Sequence, residues 1–247
     1  MPRALATSPA NLEPTHSNTT ETPLRTSIII PTLNEEARIG AAIERARLLH
    51  PAEIIVVDGG SDDATVAAAK PADQVLTAPR GRAAQQNAGA AACSGAVLLF
   101  LHADCWLEPG SLAQVAAALA DPNCVGGCFR QRIDAEGRCF RWLEHGNAWR
   151  VRCSWLAYGD QGIFVRREVF HRLGGFPDLA LMEDLFFMKR LRNEGALAVL
   201  DGPLHVSARR WEKQGVLRQT ARNWCLTILV HLGISPNRLA RFYSHVR

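Results

Sequence analysis

Short apolar segments alternate with helical segments through the first half of the chain, and this alternation limits the folds open to it. Four segments are predicted as strands because they are apolar without polar–apolar alternation: TSIIIPT (26–32), AEIIVVD (52–58), QVLTA (74–78) and GAVLLFLHAD (95–104). Between and after them, apolar residues recur at helical spacing, as in 39–46 and 112–119. Strands of this kind are typical of a parallel sheet covered by helices on both faces. The sequence therefore predicts an α/β fold with a Rossmann-like, mostly parallel central sheet flanked by helices.

The second half of the chain differs in pattern. CVGGCFRQRI (124–133) is predicted as a strand, and the aromatic, arginine-rich segment 137–156 as a helix. The segment 196–211 is predicted as a pair of short strands, and 214–234 as a final helix. No linker rich in Pro or Gly divides the chain, so a single domain is expected.

Composition excludes several classes of protein. The chain has 247 residues, 47% of them hydrophobic and 21% charged, with a net charge of +4, as in an ordinary globular protein. This mild charge, without a recognised motif, does not favour nucleic-acid binding. No apolar run reaches the roughly 20 residues that span a bilayer. The polar first residues lack the apolar core of a signal peptide and predict a disordered tail over 1–24.

The cysteines indicate the redox environment. Seven are present, without a CxxC pair, and Cys124 and Cys128 lack partners that would make them zinc ligands. Buried free thiols are typical of a reducing compartment, so the sequence predicts a cytoplasmic protein.

Polar residues follow three of the predicted strands: Thr32–Glu35, Asp58, and His102 to Asp104. Ligands of open parallel sheets bind outside the carboxyl ends of the strands, so these side chains are expected to share one crevice. Neither GxGxxG nor GxxxxGK[ST] is present, which excludes the usual dinucleotide and P-loop sites.

Five short motifs together carry a resemblance to a known family: PTLNEE (31–36), VVDGGSDD (56–63), LHAD (101–104), MED (182–184) and ARRW (208–211). In this order they resemble family 2 glycosyltransferases with the GT-A fold, and within them a small bacterial subgroup. The resemblance implies an enzyme that moves a sugar from a UDP- or GDP-linked donor to an acceptor hydroxyl with inversion. It covers 25–211, implying a nucleotide-binding half over 25–121 and an acceptor-binding half over 122–211. A C-terminal helical segment follows over 212–247.

The resemblance also assigns site residues. Asp58 is expected to accept from the base; in the simpler interpretation it caps its own turn. Arg80 and Arg82 flank a glycine before the Ala-rich segment predicted as a helix, where arginines and helix-start N–H groups suit a diphosphate; for Arg80 the alternative of an ordinary surface arginine stays open. The implied nucleotide-binding set is Pro31, Thr32, Glu35, Asp58, Arg80, Arg82 and Ala103.

A divalent cation, Mg²⁺ or Mn²⁺, is implied at Asp104, where it would offset charge on the departing diphosphate. His102 stands where the family carries the first acid of its DxD motif, and it is either a ligand or a strand terminus. His205 is a further candidate ligand, although a lone histidine is more often structural.

The MED motif supplies the implied catalytic carboxylates. Asp184 is expected to be the base and Glu183 to support acceptor binding; in the simpler interpretation both acids complement a helix dipole. Contacts to the acceptor or the diphosphate are implied for Asp160, Arg209, Arg210 and Trp211.

The partner and the function leave alternatives open. The last helix mixes Trp224, Leu226, Ile228 and Leu229 with Arg218 and Arg222, and either packs on the domain or lies on the inner face of the membrane. In the second case the unknown acceptor would be lipid- or carotenoid-like. The alternatives to a transferase are a non-catalytic nucleotide-sugar-binding protein and a sugar-1-phosphate nucleotidyltransferase.

Overall fold

A computed structural model describes residues 24–154, 157–209, 211 and 215–243. The predicted tail, apart from Leu24, lies outside the described residues, and so does Arg210.

A curled eight-stranded sheet forms the centre of the described structure, in the order β3-β2-β1-β4-β7-β6-β8-β5. Its strands are β1 (Thr26–Thr32), β2 (Glu53–Asp58), β3 (Gln74–Thr77), β4 (Val97–Phe100), β5 (Cys105–Leu107), β6 (Cys124–Asp134), β7 (Ile163–Arg166) and β8 (Ala196–Ser207). The helices are α1 (Ile39–Arg47), α2 (Thr65–Ala68), α3 (Arg82–Ala92), α4 (Ser111–Leu119), α5 (Arg138–Ser154), α6 (Arg167–Arg172), α7 (Glu183–Leu191), α8 (Val216–His231) and α9 (Pro236–Tyr243).

The mostly parallel sheet predicted from the apolar strands is confirmed. Strands β3, β2, β1 and β4 are parallel neighbours, and β6 pairs in parallel with β8. The antiparallel pairs involve the second half of the chain, where β7 joins β4 to β6 and β5 joins β8. The carboxyl ends of β1, β2 and β4 therefore share one edge of the sheet.

Strands β1, β2 and β4 are buried on both faces, as their composition predicts, whereas β3 at the sheet edge is partly exposed. Alternate residues enter two separate apolar clusters: Ile28 and Ile30 of β1 lie in one cluster, and Ile29 in the other. Because side chains alternate across a strand, each apolar residue of β1 contributes to one of the two helix-covered faces.

The structure differs from the prediction in three places. The segment 196–207 is one strand rather than two, because β6 pairs with it on both sides of Gly202 and Pro203, where the register shifts. Strand β5 was not predicted, since three residues are too few to show a period. The chain also ends its described part in two helices rather than one.

The C-terminal helices pack against the rest of the domain. Leu226 of α8 and Leu239 of α9 are buried with Leu181, Met182 and Leu185, which precede and begin α7. This contact places α8 beside the segment that carries the MED motif.

Candidate active site

A cavity of about 100 Å³ lies beyond the carboxyl end of β4. Its polar lining comes from four separate parts of the chain: Arg82, His102, the segment Tyr158–Asp160, and Asp184. Its apolar lining consists of Leu181, Met182 and Leu226, with Thr227 beside them. The structure thus brings predicted donor-site, metal-site and catalytic residues into one pocket.

Asp184 is held rigidly at the start of α7. The backbone N–H of Gly159 donates to its Oδ2 at 2.5 Å, and the N–H of Leu185 donates to its Oδ1 at 2.6 Å. Met182, the residue before α7, has a φ of 63°, a strained left-handed conformation for a residue with a side chain. This turn helps to bring the Asp184 carboxylate, 5% exposed, to the pocket wall.

Gly159 separates the Asp184 carboxylate from the His102 ring. A Cβ placed on Gly159 would lie 2.9 Å from His102 Nε2 and 3.2 Å from Asp184 Oδ2. Both side chains therefore approach the same backbone position, His102 from the segment after β4 and Asp184 from α7. A residue without a side chain lets them converge there.

Glu183 is paired with Arg82. Arg82 Nε lies 2.8 Å from Glu183 Oε1, and the Glu183 side chain is only 2% exposed. A buried carboxylate requires such a partner. Glu183 thus contacts the first residue of α3, a predicted donor-site residue, and it has this ion-pair role in addition to the implied contact with the acceptor.

Three possible metal ligands lie together after β4. Ligand atoms of His102, Asp104 and Cys105 all lie within 4.8 Å of one another. This spacing suits one divalent ion, and a nitrogen, an oxygen and a sulfur are donors that such ions accept. Cys105 was missed in the sequence, although it directly follows Asp104, because a cysteine without a second cysteine gives no metal pattern.

His205 lies elsewhere, in β8. Its Nε2 is 2.9 Å from Glu108 Oε1, and its ring stacks on Trp106 at 3.7 Å between centroids. His205 is opposite Trp106 and Val206 opposite Cys105, so His205 and Cys105 face opposite sides of the sheet. The structure therefore does not bring His205 into the cluster of His102, Asp104 and Cys105.

The predicted nucleotide-binding residues lie at the same sheet edge. Asp58 is 3% exposed and accepts from the N–H groups of Gly60 and Ser61, each at 2.9 Å, so it caps its own turn. Thr32 lies beside Asp58 in the sheet register. Pro31, which precedes Thr32 in β1, and Ala103, which follows β4, are both buried. With β1 between them, β2 and β4 are about 10 Å apart, a span that a nucleotide can bridge.

Other predicted residues have structural contacts. The Glu35 carboxylate pairs with Arg38 at 2.7 Å, while Arg80 is exposed. Arg209 is half-buried, and its backbone N–H donates to Ser207 Oγ at 3.4 Å. Trp211 is 9% exposed and belongs to an apolar core cluster, which leaves little ring surface to stack on an acceptor.

The acceptor half supplies residues that sequence reasoning missed. Tyr158 and Gly159 precede Asp160 in the segment YGDQG (158–162). Asp160 was predicted as a site residue, but a tyrosine and a glycine by themselves do not indicate a binding site. The Tyr158 hydroxyl hydrogen-bonds Thr227 of α8 at 2.6 Å. Asp160 Oδ2 accepts from Gln131 Nε2 at 3.1 Å. The pocket wall therefore depends on contacts among three distant segments.

Comparison with known proteins gives a consistent result. The sequence profile described as Glycosyl transferase family 2 matches residues 27–174. The chain is 27% identical over 216 residues to Probable glycosyltransferase YdaM of Bacillus subtilis, covering 75% of this chain and 50% of that protein. It is 28% identical over 197 residues to Glycosyltransferase AglE of Haloferax volcanii, covering 68% and 62%. The chain thus spans about half to three fifths of the length of these relatives.

Solved structures share the fold. TarS 1–349 of S. aureus in complex with UDP-GlcNAc aligns with a TM-score of 0.60 and 16% identity, covering 74% of this chain and 58% of that one. The mannosyltransferase PcManGT of Pyrobaculum calidifontis, in complex with GDP-Man and Mn²⁺, aligns with a TM-score of 0.56 and 21% identity, covering 81% and 64%.

Proposed function

The chain belongs to glycosyl transferase family 2, and on this premise we propose that it is an inverting glycosyltransferase that uses a nucleotide-diphospho-sugar. The proposal is carried by the convergence of Asp184 and His102 on Gly159 in one pocket, with Arg82 in the same wall. A base, a candidate metal ligand and a cation suited to phosphate are the groups that such a transfer needs.

We propose UDP or GDP as the nucleotide of the donor. Related folds are seen with UDP-GlcNAc and with GDP-Man, which supports either base. Asp58 and Thr32 would contact the base end of the nucleotide, with Pro31, Glu35 and Ala103 shaping the surface around it. Arg82 lines the pocket, and α3 begins at this residue, so the N-terminus of α3 can receive the diphosphate; Arg80 and Arg209 are further candidates.

A divalent ion is proposed at Asp104, with His102 and Cys105 as the neighbouring donors. When bound, it would stabilise negative charge on the diphosphate as the sugar leaves. Mg²⁺ prefers oxygen ligands alone, so a donor set with an imidazole and a thiol makes Mn²⁺ the better fit of the two.

Asp184 is the proposed base. Its carboxylate would accept the proton of the acceptor hydroxyl as that oxygen bonds to the anomeric carbon. The bond from that carbon to the diphosphate oxygen breaks, and its electron pair leaves with the diphosphate. The two backbone N–H donors from Gly159 and Leu185 fix the orientation of the carboxylate, which favours a productive approach.

The acceptor would enter beside Asp160 and the apolar wall formed by Leu181, Met182 and Leu226. That wall supports an acceptor with apolar surface, of the lipid- or carotenoid-like class. A cytoplasmic location at the inner face of the membrane is proposed with it. The described cysteines form no disulfide with one another and are mostly buried, which supports a reducing compartment. No described helix is long and apolar enough to cross a bilayer.

The test measures nucleotide binding and nucleotide release separately. Thermal shifts are recorded with UDP and with GDP, each with and without Mn²⁺, and then release of nucleotide is measured across a set of sugar nucleotides with water as a weak acceptor. Metal-dependent stabilisation by one of the two nucleotides is expected; its absence with both would contradict the proposal.

The Asp184→Asn variant separates catalysis from binding. We expect it to keep the thermal shift and to lose turnover by about 10²–10⁴-fold, the usual contribution of a general base. Nucleotide binding by the parent protein without any turnover across the donors would instead indicate a non-catalytic binding protein.

A further inference from the structure

Helix α5 exposes two tryptophans on one face. Trp142 is 77% exposed and Trp149 is 71% exposed, far more than is usual for residues of this size. They are seven residues apart, two helical turns, so they lie on the same side of the helix. Other exposed residues at this spacing complete the outer face of α5: Arg138, Trp142, His145, Trp149 and Arg152.

The opposite face of α5 is firmly attached to the domain. Phe140 and Val151 are buried, and Glu144 Oε1 accepts from the backbone N–H of Ile133 at 2.6 Å. The guanidinium of Arg141 donates to the carbonyl oxygens of Ile133 and Ala135 at 2.8 and 2.9 Å. Since this inner face provides the attachment, the tryptophans of the outer face have no role in holding the helix to the described domain.

The outer face carries only positive or neutral polar groups around its tryptophans. Glu144 is the one acidic residue in α5, and it is paired with Arg141 at 3.1 Å on the inner side. The nearest acidic residues before the helix are Asp134 and Glu136, which lie outside α5. An exposed face with two indole rings between two arginines complements a surface that is anionic outside and apolar beneath.

We propose that the outer face of α5 binds to the surface of an anionic lipid membrane. The tryptophans would lie at the level of the headgroups, where an amphipathic ring is favoured, and Arg138 and Arg152 would pair with lipid phosphates. This assigns the membrane contact to α5. In α8, the helix for which the sequence left a membrane contact open, Leu226 is buried against the domain, and its exposed residue Ile228 is aliphatic rather than an amphipathic aromatic.

The same helix connects the outer face to the pocket. Asn147 donates to Gln131 Oε1 at 2.7 Å, and Gln131 in turn donates to Asp160. The Arg150 guanidinium lies 4.1 Å from the centroid of the Tyr158 ring, and both Tyr158 and Asp160 line the pocket. A membrane on the outer face would therefore lie about one helix diameter, roughly 10 Å, from pocket-lining residues.

The experiment is co-sedimentation of the full chain with vesicles of phosphatidylcholine alone and of phosphatidylcholine mixed with phosphatidylglycerol. Three double variants are compared with the parent: Trp142→Ala with Trp149→Ala, Arg138→Gln with Arg152→Gln, and Leu48→Ala with Val66→Ala. The last pair is the matched control, because Leu48 and Val66 are exposed apolar residues away from α5, at 62% and 45%.

We expect the parent to bind the anionic vesicles and the tryptophan variant to lose this binding. The arginine variant should bind about fivefold more weakly for each arginine, the ratio that corresponds to about 1 kcal/mol per charge near the surface. The control should bind like the parent. The thermal shift with nucleotide and Mn²⁺, measured on every variant, shows whether the fold and the donor site are retained independently of membrane binding.

Three results would overturn the proposal. The first is equal vesicle binding by the parent and by folded tryptophan and arginine variants. The second is equal binding of the parent to neutral and anionic vesicles, or to neither. The third is a dimer in light scattering that the tryptophan substitutions convert to a monomer without any effect of vesicles, which would assign the face to a second copy of this chain.

Discussion

Gly159 occupies a position in the pocket where an added methyl group would force the neighbouring side chains to shift. His102, which follows β4, and Asp184, in α7, are 82 positions apart in sequence, yet both side chains approach the position of a Cβ on Gly159. The YGDQG segment was noted in the sequence for its aspartate, and the residue beside that aspartate proves to set the spacing of the two groups. A glycine that gives room for neighbouring side chains leaves no mark in a hydropathy pattern.

The Gly159→Ala variant tests this spacing. The added Cβ would press on His102 Nε2 and Asp184 Oδ2, so we expect turnover to fall by about 10-fold or more, since small displacements of reacting groups are costly. Nucleotide release is the measurement. Gly146→Ala is the control, because nothing lies within 4 Å of a Cβ at that position, and it should retain full activity. Equal activity of the two variants would contradict the role given to Gly159.

Glu53 makes stability depend on pH, at the end of the sheet opposite the pocket. Burial raises the pKa of its carboxyl, but donors on Ser27, Ser94 and Gly95 lower it, and the net pKa lies below its ordinary value of 4.5. Because the folded-state pKa is the lower one, the stabilisation is complete above about pH 4.5 and is lost as pH falls through the folded-state pKa.

We therefore expect Glu53→Gln to lower the free energy of unfolding at pH 7 by about 1–3 kcal/mol, because buried donors lose a charged acceptor. The variant should also lose less stability than the parent between pH 5 and pH 3, values that bracket the ordinary pKa of 4.5. Urea denaturation at each pH measures both effects. Asp201→Asn, whose side chain is 78% exposed in a surface ion pair, should change stability by less than about 1 kcal/mol.

At the scale of elements, the Arg82–Glu183 pair connects α3, from the nucleotide-binding half, to α7, from the acceptor half. Both residues were predicted for the site from separate motifs, but their contact was not. The ion pair fixes the start of α7, and with it the neighbouring Asp184, relative to the start of α3. The ion pair therefore fixes the positions of the site residues on the two helices relative to each other.

Loss of this contact is expected to cost more than loss of a surface ion pair. Arg82→Ala removes the cation from a carboxylate that is 2% exposed, and should lower the free energy of unfolding by about 3 kcal/mol. Arg172→Ala removes the partner of Glu194 from an exposed pair, and should cost less than about 1 kcal/mol. Similar values for the two variants in urea denaturation would show that the buried pair contributes no special stability.

Element prediction succeeded where the composition of a segment was sufficient and failed where pairing partners decided the outcome. Strands β1, β2 and β4 and helix α5 were predicted from the composition of the segment itself. The segment that forms β8 was predicted as a pair of short strands, and the sequence DGP (201–203), which is typical of a turn, does interrupt it. It remains one element because β6 continues beside it across the interruption, and a neighbouring strand is not visible in local sequence.

At the scale of the whole molecule, burial protects most of the described thiols. Cys93 and Cys128 are buried, and burial raises the pKa of each thiol to about 12. Cys139 and Cys225 are exposed. Since the thiolate is the reactive form, accessibility and pKa together predict which cysteines react in the folded protein.

Alkylation with iodoacetamide at pH 7.5, a value below the raised pKa values of about 12, tests this distribution of thiols. Peptide mapping by mass spectrometry should find Cys139 and Cys225 modified in the folded protein, and Cys93 and Cys128 modified only after unfolding in urea. Rapid modification of Cys93 or Cys128 without denaturant would contradict the packing of the two halves around the sheet.

The sequence by itself determined the α/β class, the parallel first half of the sheet and the edge at which a ligand would bind. These follow from hydrophobic periodicity and from polar residues at strand ends, which are properties of single segments. Only the tertiary structure decided that Arg82 pairs with Glu183, that His102 approaches Asp184 at Gly159, and that His205 lies away from Asp104. Such contacts join distant segments, and they depend on strand order and side-chain packing, which no local pattern encodes.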